Sequence, residues 1–169
     1  MSAAIDIDCQ REIEQFLVDE SELLDSNRQH EWLDLLHESF IYRMPVPVAR
    51  EEPTQNQYDS VLEFANESKS FLEMRFRRVS SDFAWAERPP AFVRHFVTNF
   101  RISTLEGDDA WAVRTNVLLM RARQPEPPVL ASAERHDRIE RHDGKLLLCE
   151  RIVYLDAEIP NDTQLGTIY

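Results

Sequence analysis

The chain has 169 residues and a mass of 19.9 kDa, one domain's worth, and a unit of that size buries roughly 70% of its unfolded surface without disulfide or metal staples. Hydrophobic residues make up 43% and charged residues 30%, a balance that fits neither a disordered, a collagenous nor a membrane-spanning chain. Nineteen Lys and Arg against 31 Asp and Glu leave a net charge of −12, so phosphate backbones and anionic membranes are repelled; neither nucleic acid nor membrane is an expected partner.

Among the cations only Lys69 and Lys145 are lysines. An arginine-rich set suits forked pairing with carboxylates, at interfaces or inside the fold. Cys9 and Cys149 share no motif and read as free thiols of a reducing compartment. Met1 to Cys9 has neither a basic start nor an apolar run, so no signal peptide is expected and the expected location is the cytoplasm.

In chain order, Ile13, Phe16, Leu17 and Leu24 recur at helical spacing, with Glu12, Glu14, Asp19 and Glu22 opposite them. Ser26 or Asn27 then caps a short second helix striped by Trp32, Leu35 and Leu36. At Phe40, Tyr42 and Met44 the period becomes that of a strand, ended by Pro45 and Pro47. Residues 48–60 read as a polar loop, and 61–65 as either a short strand or an early helical turn. Ser70 and Glu73 have capping-box spacing in a third helix over about 68–79, with Leu72, Phe76 and Val79 on one face. Strands follow over 94–102, 110–123, 130–141 and 146–155, the last two joined by Asp143-Gly144, a type I′ hairpin signal. Helices followed by an antiparallel meander predict an α+β fold: a curved antiparallel sheet with about three N-terminal helices packed on it, forming a cone over residues 1–169 as one domain.

Candidate chemistry is sparse. Three glycines make no phosphate-cradling loop or dinucleotide fingerprint, and no nucleophile elbow is present. His136 and His142 share a strand parity near a turn, followed by Asp137 and Asp143; they read as the polar end of a surface hairpin rather than a metal site. His30 and His37, seven apart, read as a solvated helix face. His95 has the parity of Val97 and Asn99. On the inner face of a cone it can serve as a general base with Asp34 or Tyr42 as acid or orienting group, or it can be a buried, satisfied histidine.

Several blocks carry a resemblance over nearly the whole chain. They are Glu22-Leu23-Leu24-Asp25, Trp32 with Leu35-Leu36, and Tyr42-Arg43-Met44-Pro45-Val46. They continue with Trp85-Ala86-Glu87-Arg88-Pro89-Pro90 before Arg94-His95-Phe96-Val97-Thr98-Asn99, then 116–123, Glu134-Arg135-His136-Asp137, 151–156 and Leu165-Gly166-Thr167-Ile168-Tyr169. Together they resemble the small (β) subunit of aromatic-ring-hydroxylating dioxygenases. The chain departs from that pattern at Arg88, at Ala91-Phe92-Val93 and at Ala133-Glu134-Arg135.

The resemblance implies a nuclear transport factor 2-like cone and a β₃ trimer under an α₃ cap. It implies a large subunit that carries the Rieske 2Fe-2S cluster and a non-haem iron, with NADH as the distal electron source through separate redox proteins. No catalytic, cofactor or metal residues are then expected in this chain. Neither cysteine has the Cys-x-His or Cys-x-x-His spacing of a Rieske ligand pair. The expected contribution is assembly, with Trp85, Arg88, Arg94, His95 and Asn99 as interface candidates. The competing expectation is a stand-alone dehydratase, isomerase or cyclase on the same cone, using His95 with Asp34 or Tyr42.

Overall fold

The computed structural model describes residues 5–49, 51–52, 56–79, 91–105, 109–157 and 167–169. Helix α1 spans Ile7–Asp25, opened by Asp6, whose carboxylate accepts from the N–H groups of Asp8 and Cys9. Its buried stripe holds Ile13, Leu17, Ser21 and Leu24, and with them Glu20. Ser26 and Asn27 do not cap the second helix; they finish the first. Asn27 takes a left-handed φ of 56°, its N–H donates to the Leu24 carbonyl and that of Arg28 donates to Leu23. This is the paired-bond helix stop that usually employs glycine.

Helix α2 (Gln29–Leu33) is one turn that buries Trp32 and Leu33, and β1 (Leu36–Pro47) begins at once. Leu36 thus belongs to a strand, and so does His37, which is not on the helix of His30. β2 (Tyr58–Ser68) resolves the ambiguity at 61–65 as strand, and it runs into α3 (Lys69–Val79). The first-turn cap of α3 is Ser68, whose Oγ accepts from the Phe71 N–H, rather than Ser70. Leu72 and Phe76 bury, and Trp32 meets Phe76 and Phe40 edge-on at 6.0 and 6.2 Å.

β3 (Phe92–Thr104), β4 (Ala110–Ala122), β5 (Val129–His142) and β6 (Lys145–Leu155) form the expected meander. Asp143 and Gly144 take φ of 49° and 79°, the two positive angles the β5–β6 turn demands. The described strands join as one sheet of order β2-β1-β6-β5-β4-β3. Against the expectation of an antiparallel sheet, β1 and β6 run parallel; every other neighbouring pair is antiparallel. A chain that starts with a hairpin and then crosses the molecule through a helix returns its last strand to β1 in that sense. α3 accordingly sits between strands instead of before them.

Two bulges decide which residues enter the cone. Thr98 faces Asn116 and Arg101 faces Arg114, so Asn99 and Phe100 together oppose Thr115. Asn99, at φ 56°, is the extra residue, and it switches β3 parity so that Phe100 and Ile102 turn inward after Val93, His95 and Val97. In β6, Leu148 faces Ile139 and Glu150 faces Arg138, leaving Cys149 over. Leu146 and Leu148 point inward before it; Arg151, Val153 and Leu155 point inward after it. Without that extra residue Arg151 would face out.

Candidate functional site

The interior of the cone holds charge. Glu20 from α1, Arg135 and Asp137 from β5 and Arg151 from β6 are almost completely removed from solvent. Arg151 forks twice: Nη2 donates to Glu20 Oε2 at 2.8 Å while Nη1 pairs with Oε1, and Nε and Nη2 donate to the two Asp137 oxygens at 2.8 and 2.9 Å. Trp32 Nε1–H donates to Glu20 Oε1 at 2.8 Å, and Arg151 Nη1 also donates to the main-chain oxygen of Tyr169 at 3.1 Å. Arg135 lies with Nε 3.0 Å from Asp137 and Nη2 3.6 Å from Glu20, close enough for ion pairing but without hydrogen-bond geometry.

Two carboxylates face two guanidiniums, so the set is neutral. Burial alone would raise the Glu20 carboxyl; the Arg151 and Arg135 charges and the bonds from Arg151 and Trp32 outweigh it and hold it at about 2. For Arg135, burial and the nearby Arg151 charge pull the guanidinium down against Asp137 and Glu20. Arg151, also buried, is pushed up by the same two carboxylates.

His95 closes the neighbouring corner. Its Nδ1 is 2.6 Å from Asp25 Oδ1 and its Nε2 is 2.7 Å from the Ile168 carbonyl, while its own N–H donates to the Asp25 carboxylate at 3.0 Å. Both ring nitrogens are engaged by oxygens of the fold, so neither is open to a substrate. One residue on, the Tyr169 N–H donates to the Tyr42 hydroxyl at 3.4 Å. Burial raises the Tyr42 hydroxyl well above the ordinary phenol range, with only partial relief from the Tyr169 bond. Asp34 ends α2 in an exposed position. No hydrogen bond joins His95 to Asp34 or Tyr42; segment 167–169 lies between His95 and Tyr42 instead.

Of the five interface candidates, Trp85 and Arg88 lie outside the described residues. Arg94 is exposed on the outer face, touching Asp25 at 3.5 Å, and His95 is buried. Asn99 does not share the inner face with His95: the bulge puts it outward, in a groove of about 450 Å³ with Phe96, Thr98, Asn116, Leu118 and Ser132. Around that groove Phe92, Phe96, Leu118 and Leu130 are between 41% and 71% exposed, with Arg94, Arg114, Glu134 and Asp156 among them. The two cysteines are free. His136 bonds Glu134 at 2.5 Å and His142 bonds Glu140 at 3.0 Å, both on the outer face. Among the described residues no helix is long and apolar enough to cross a membrane.

The sequence reading missed Glu20, Asp25, Asp137 and Arg151 as a functional group of side chains, and a signal was there. Glu20 stands seven residues after Ile13 and four before Leu24, on the apolar stripe itself; Arg135 and Asp137 share the parity of Ala133 and Ile139. A charge at an inward position demands a buried partner.

The chain matches the family model described as "ring hydroxylating beta subunit" over residues 19–161. Among solved structures it is similar to a chain of naphthalene 1,2-dioxygenase with indole bound in the active site (23% identity, TM-score 0.86, covering 97% of this chain and 87% of that one). The beta subunit of benzoate 1,2-dioxygenase from Burkholderia mallei superposes with TM-score 0.68 at 22% identity, over 91% of this chain and 93% of that one. A scytalone-dehydratase-like protein of Novosphingobium aromaticivorans shares the fold at 18% identity and TM-score 0.64, covering 88% and 84%. With a model match that spans most of its length, the chain belongs to the ring hydroxylating beta subunit family.

Proposed function

We propose that this chain is the non-catalytic small subunit of an aromatic-ring-hydroxylating dioxygenase in the cytoplasm, contributing a rigid surface to an assembly whose chemistry resides in the large subunit. The large subunit would carry the Rieske 2Fe-2S cluster and the non-haem iron, fed with electrons from NADH through separate redox proteins. The cysteines of this chain do not fit the Rieske cluster. Cys9 is on α1 and Cys149 on β6, and neither has a histidine at the spacing a Rieske ligand pair uses.

The observation that carries the proposal is the interior. Where an enzyme on this cone would keep a pocket with an acid and a base, this one holds a self-neutralising Glu20–Arg151–Asp137–Arg135 set, and His95 has both nitrogens bonded within the fold. The stand-alone dehydratase or isomerase reading needs a ring nitrogen of His95 facing a substrate, together with Asp34 or Tyr42, and is less supported.

The outer face of β3-β4-β5 supports an assembly role. Its exposed phenylalanines and leucines stand among charges of both signs, and we assign that face to a second copy of this chain in a threefold ring. There one copy's arginines meet the next copy's carboxylates head to tail. Three such copies under three large subunits make the α₃β₃ assembly. Co-expression with a large subunit of the family, followed by sizing and an oxygen-consumption assay, tests the reading. The expected result is a hetero-hexamer whose turnover needs the large subunit's iron. A lone chain that turns over a small molecule overturns it.

A further inference from the structure

The outer face carries a second cluster, at the opposite end of β5 from the apolar groove. Glu140 and His142 are two apart on β5 and project from the same side of the sheet. Cys149, the extra residue of β6, joins them: a Glu140 oxygen, a His142 ring nitrogen and the Cys149 Sγ lie within 4.8 Å of one another. His37, from the adjoining β1, stacks on His142 with ring centroids 4.6 Å apart and planes 30° apart. Leu36 beside it is in register with Leu148, which brings His37 to the level of Cys149. All four side chains are half-buried.

We propose that Glu140, His142 and Cys149, with His37 as fourth ligand, form a binding site for a divalent cation of the zinc type. One thiol, two imidazoles and one carboxylate are a tetrahedral donor set that a borderline cation takes, whereas calcium and magnesium take oxygen ligands. Zinc bonds of about 2.0–2.3 Å put ligand atoms roughly 3.3–3.7 Å apart in a tetrahedron, so Glu140, His142 and Cys149 need to close by about 1 Å to share one ion. Arg138 holds Glu140 by Oε1 at 2.6 Å, leaving Oε2 to the cluster. Ser39 N–H donates to His37 Nδ1 at 3.2 Å and Ser39 Oγ lies 2.7 Å from the same atom, so ligation through Nε2 requires the ring proton to move to Nδ1 and be donated to Ser39 Oγ.

On binding, the Cys149 thiol releases its proton to solvent and the thiolate bonds the metal. The cation would tie β1, β6 and β5 together at one end of the sheet. It is redox-inert and does not depend on the assembly role proposed above.

The test is titration of the metal-free full-length chain with Co²⁺, then with Zn²⁺. The expected result is one equivalent of Co²⁺ with the absorption of a tetrahedral site and a thiolate-to-cobalt charge-transfer band, all displaced by Zn²⁺. Cys149→Ser loses the band, His142→Gln weakens Zn²⁺ binding by about tenfold or more, and Cys9→Ser leaves both unchanged. In the unsubstituted chain, Zn²⁺ slows alkylation of Cys149 and not of Cys9, a readout that requires no variant to fold. An octahedral spectrum without the charge-transfer band, a band that persists in Cys149→Ser, or alkylation of Cys149 indifferent to Zn²⁺ each overturns the proposal.

Discussion

The two faces of the sheet handle the same residue types in opposite ways. Inside, Arg135 and Arg151 are wholly buried and matched to Glu20 and Asp137, so the charges hold the cone shut. Outside, Arg94 and Arg114 stay exposed near Phe92, Phe96 and Leu118, where charge and apolar surface remain available to a neighbour. Burial is the difference. Removing a buried partner strands an ion in low dielectric, whereas removing an exposed one is absorbed by water.

That contrast is broken most severely inside. Arg151→Met or Glu20→Gln is expected to destabilise the chain by about 3–5 kcal/mol in urea unfolding, because each leaves opposite charges buried and unmatched. Replacing all four charged residues together by Leu and Met should restore most of that loss. If the quadruple variant is as unstable as the singles, packing rather than charge balance is what the interior provides.

The same network sets the acid limit. Glu20 is held at about 2 against an ordinary 4.5, so its contribution is fully present above pH 4.5 and lost as pH falls from there towards 2. Unfolding measured across that interval should be steeper for the unaltered chain than for the quadruple variant. Equal slopes would detach Glu20 from acid stability.

A smaller effect is expected at the His95 corner. Asp25→Asn or His95→Phe should lower stability by about 1–3 kcal/mol, the cost of a buried partner left unsatisfied. Turnover per assembled complex should stay the same. A base in the chemistry would instead lose about 10²–10⁴-fold in rate.

Smallest in stability is the outer face. Phe96→Lys with Leu118→Glu, which face each other across β3 and β4 and so can pair, should move the unfolding free energy of the isolated chain by less than about 1 kcal/mol. The same pair should nevertheless abolish higher assembly on sizing. Intact assembly in that variant moves the subunit contact elsewhere.

How much of this was readable beforehand follows the same division. Element type came from periodicity: the Ile13-Leu17-Leu24 stripe, the alternation through Phe40-Tyr42-Met44 and the Asp143-Gly144 turn all stand in the structure where expected. The family was legible too, because its blocks lie in order along nearly the whole chain. Side-chain placement past a bulge was not. Parity carried through Asn99 puts that residue inside with His95, and parity carried through Cys149 puts Arg151 outside; a single extra residue reverses each. Neither bulge has a glycine to announce it. The parallel β1–β6 pairing was equally hidden, since pairing partners far apart in sequence leave no local pattern.

Residues 167–169 act like a bowstring. Ile168 is tied to β3 through His95, Tyr169 to β1 through Tyr42 and to β6 through Arg151, so an edge strand and the adjoining β1–β6 pair share one short tether. A string of fixed length sets the depth of the bow. Slackening it by His95→Ala should flatten the sheet and change the shape presented on the far side, where no atom has been replaced. The fit of a neighbouring subunit is then governed in part by a segment it need never touch.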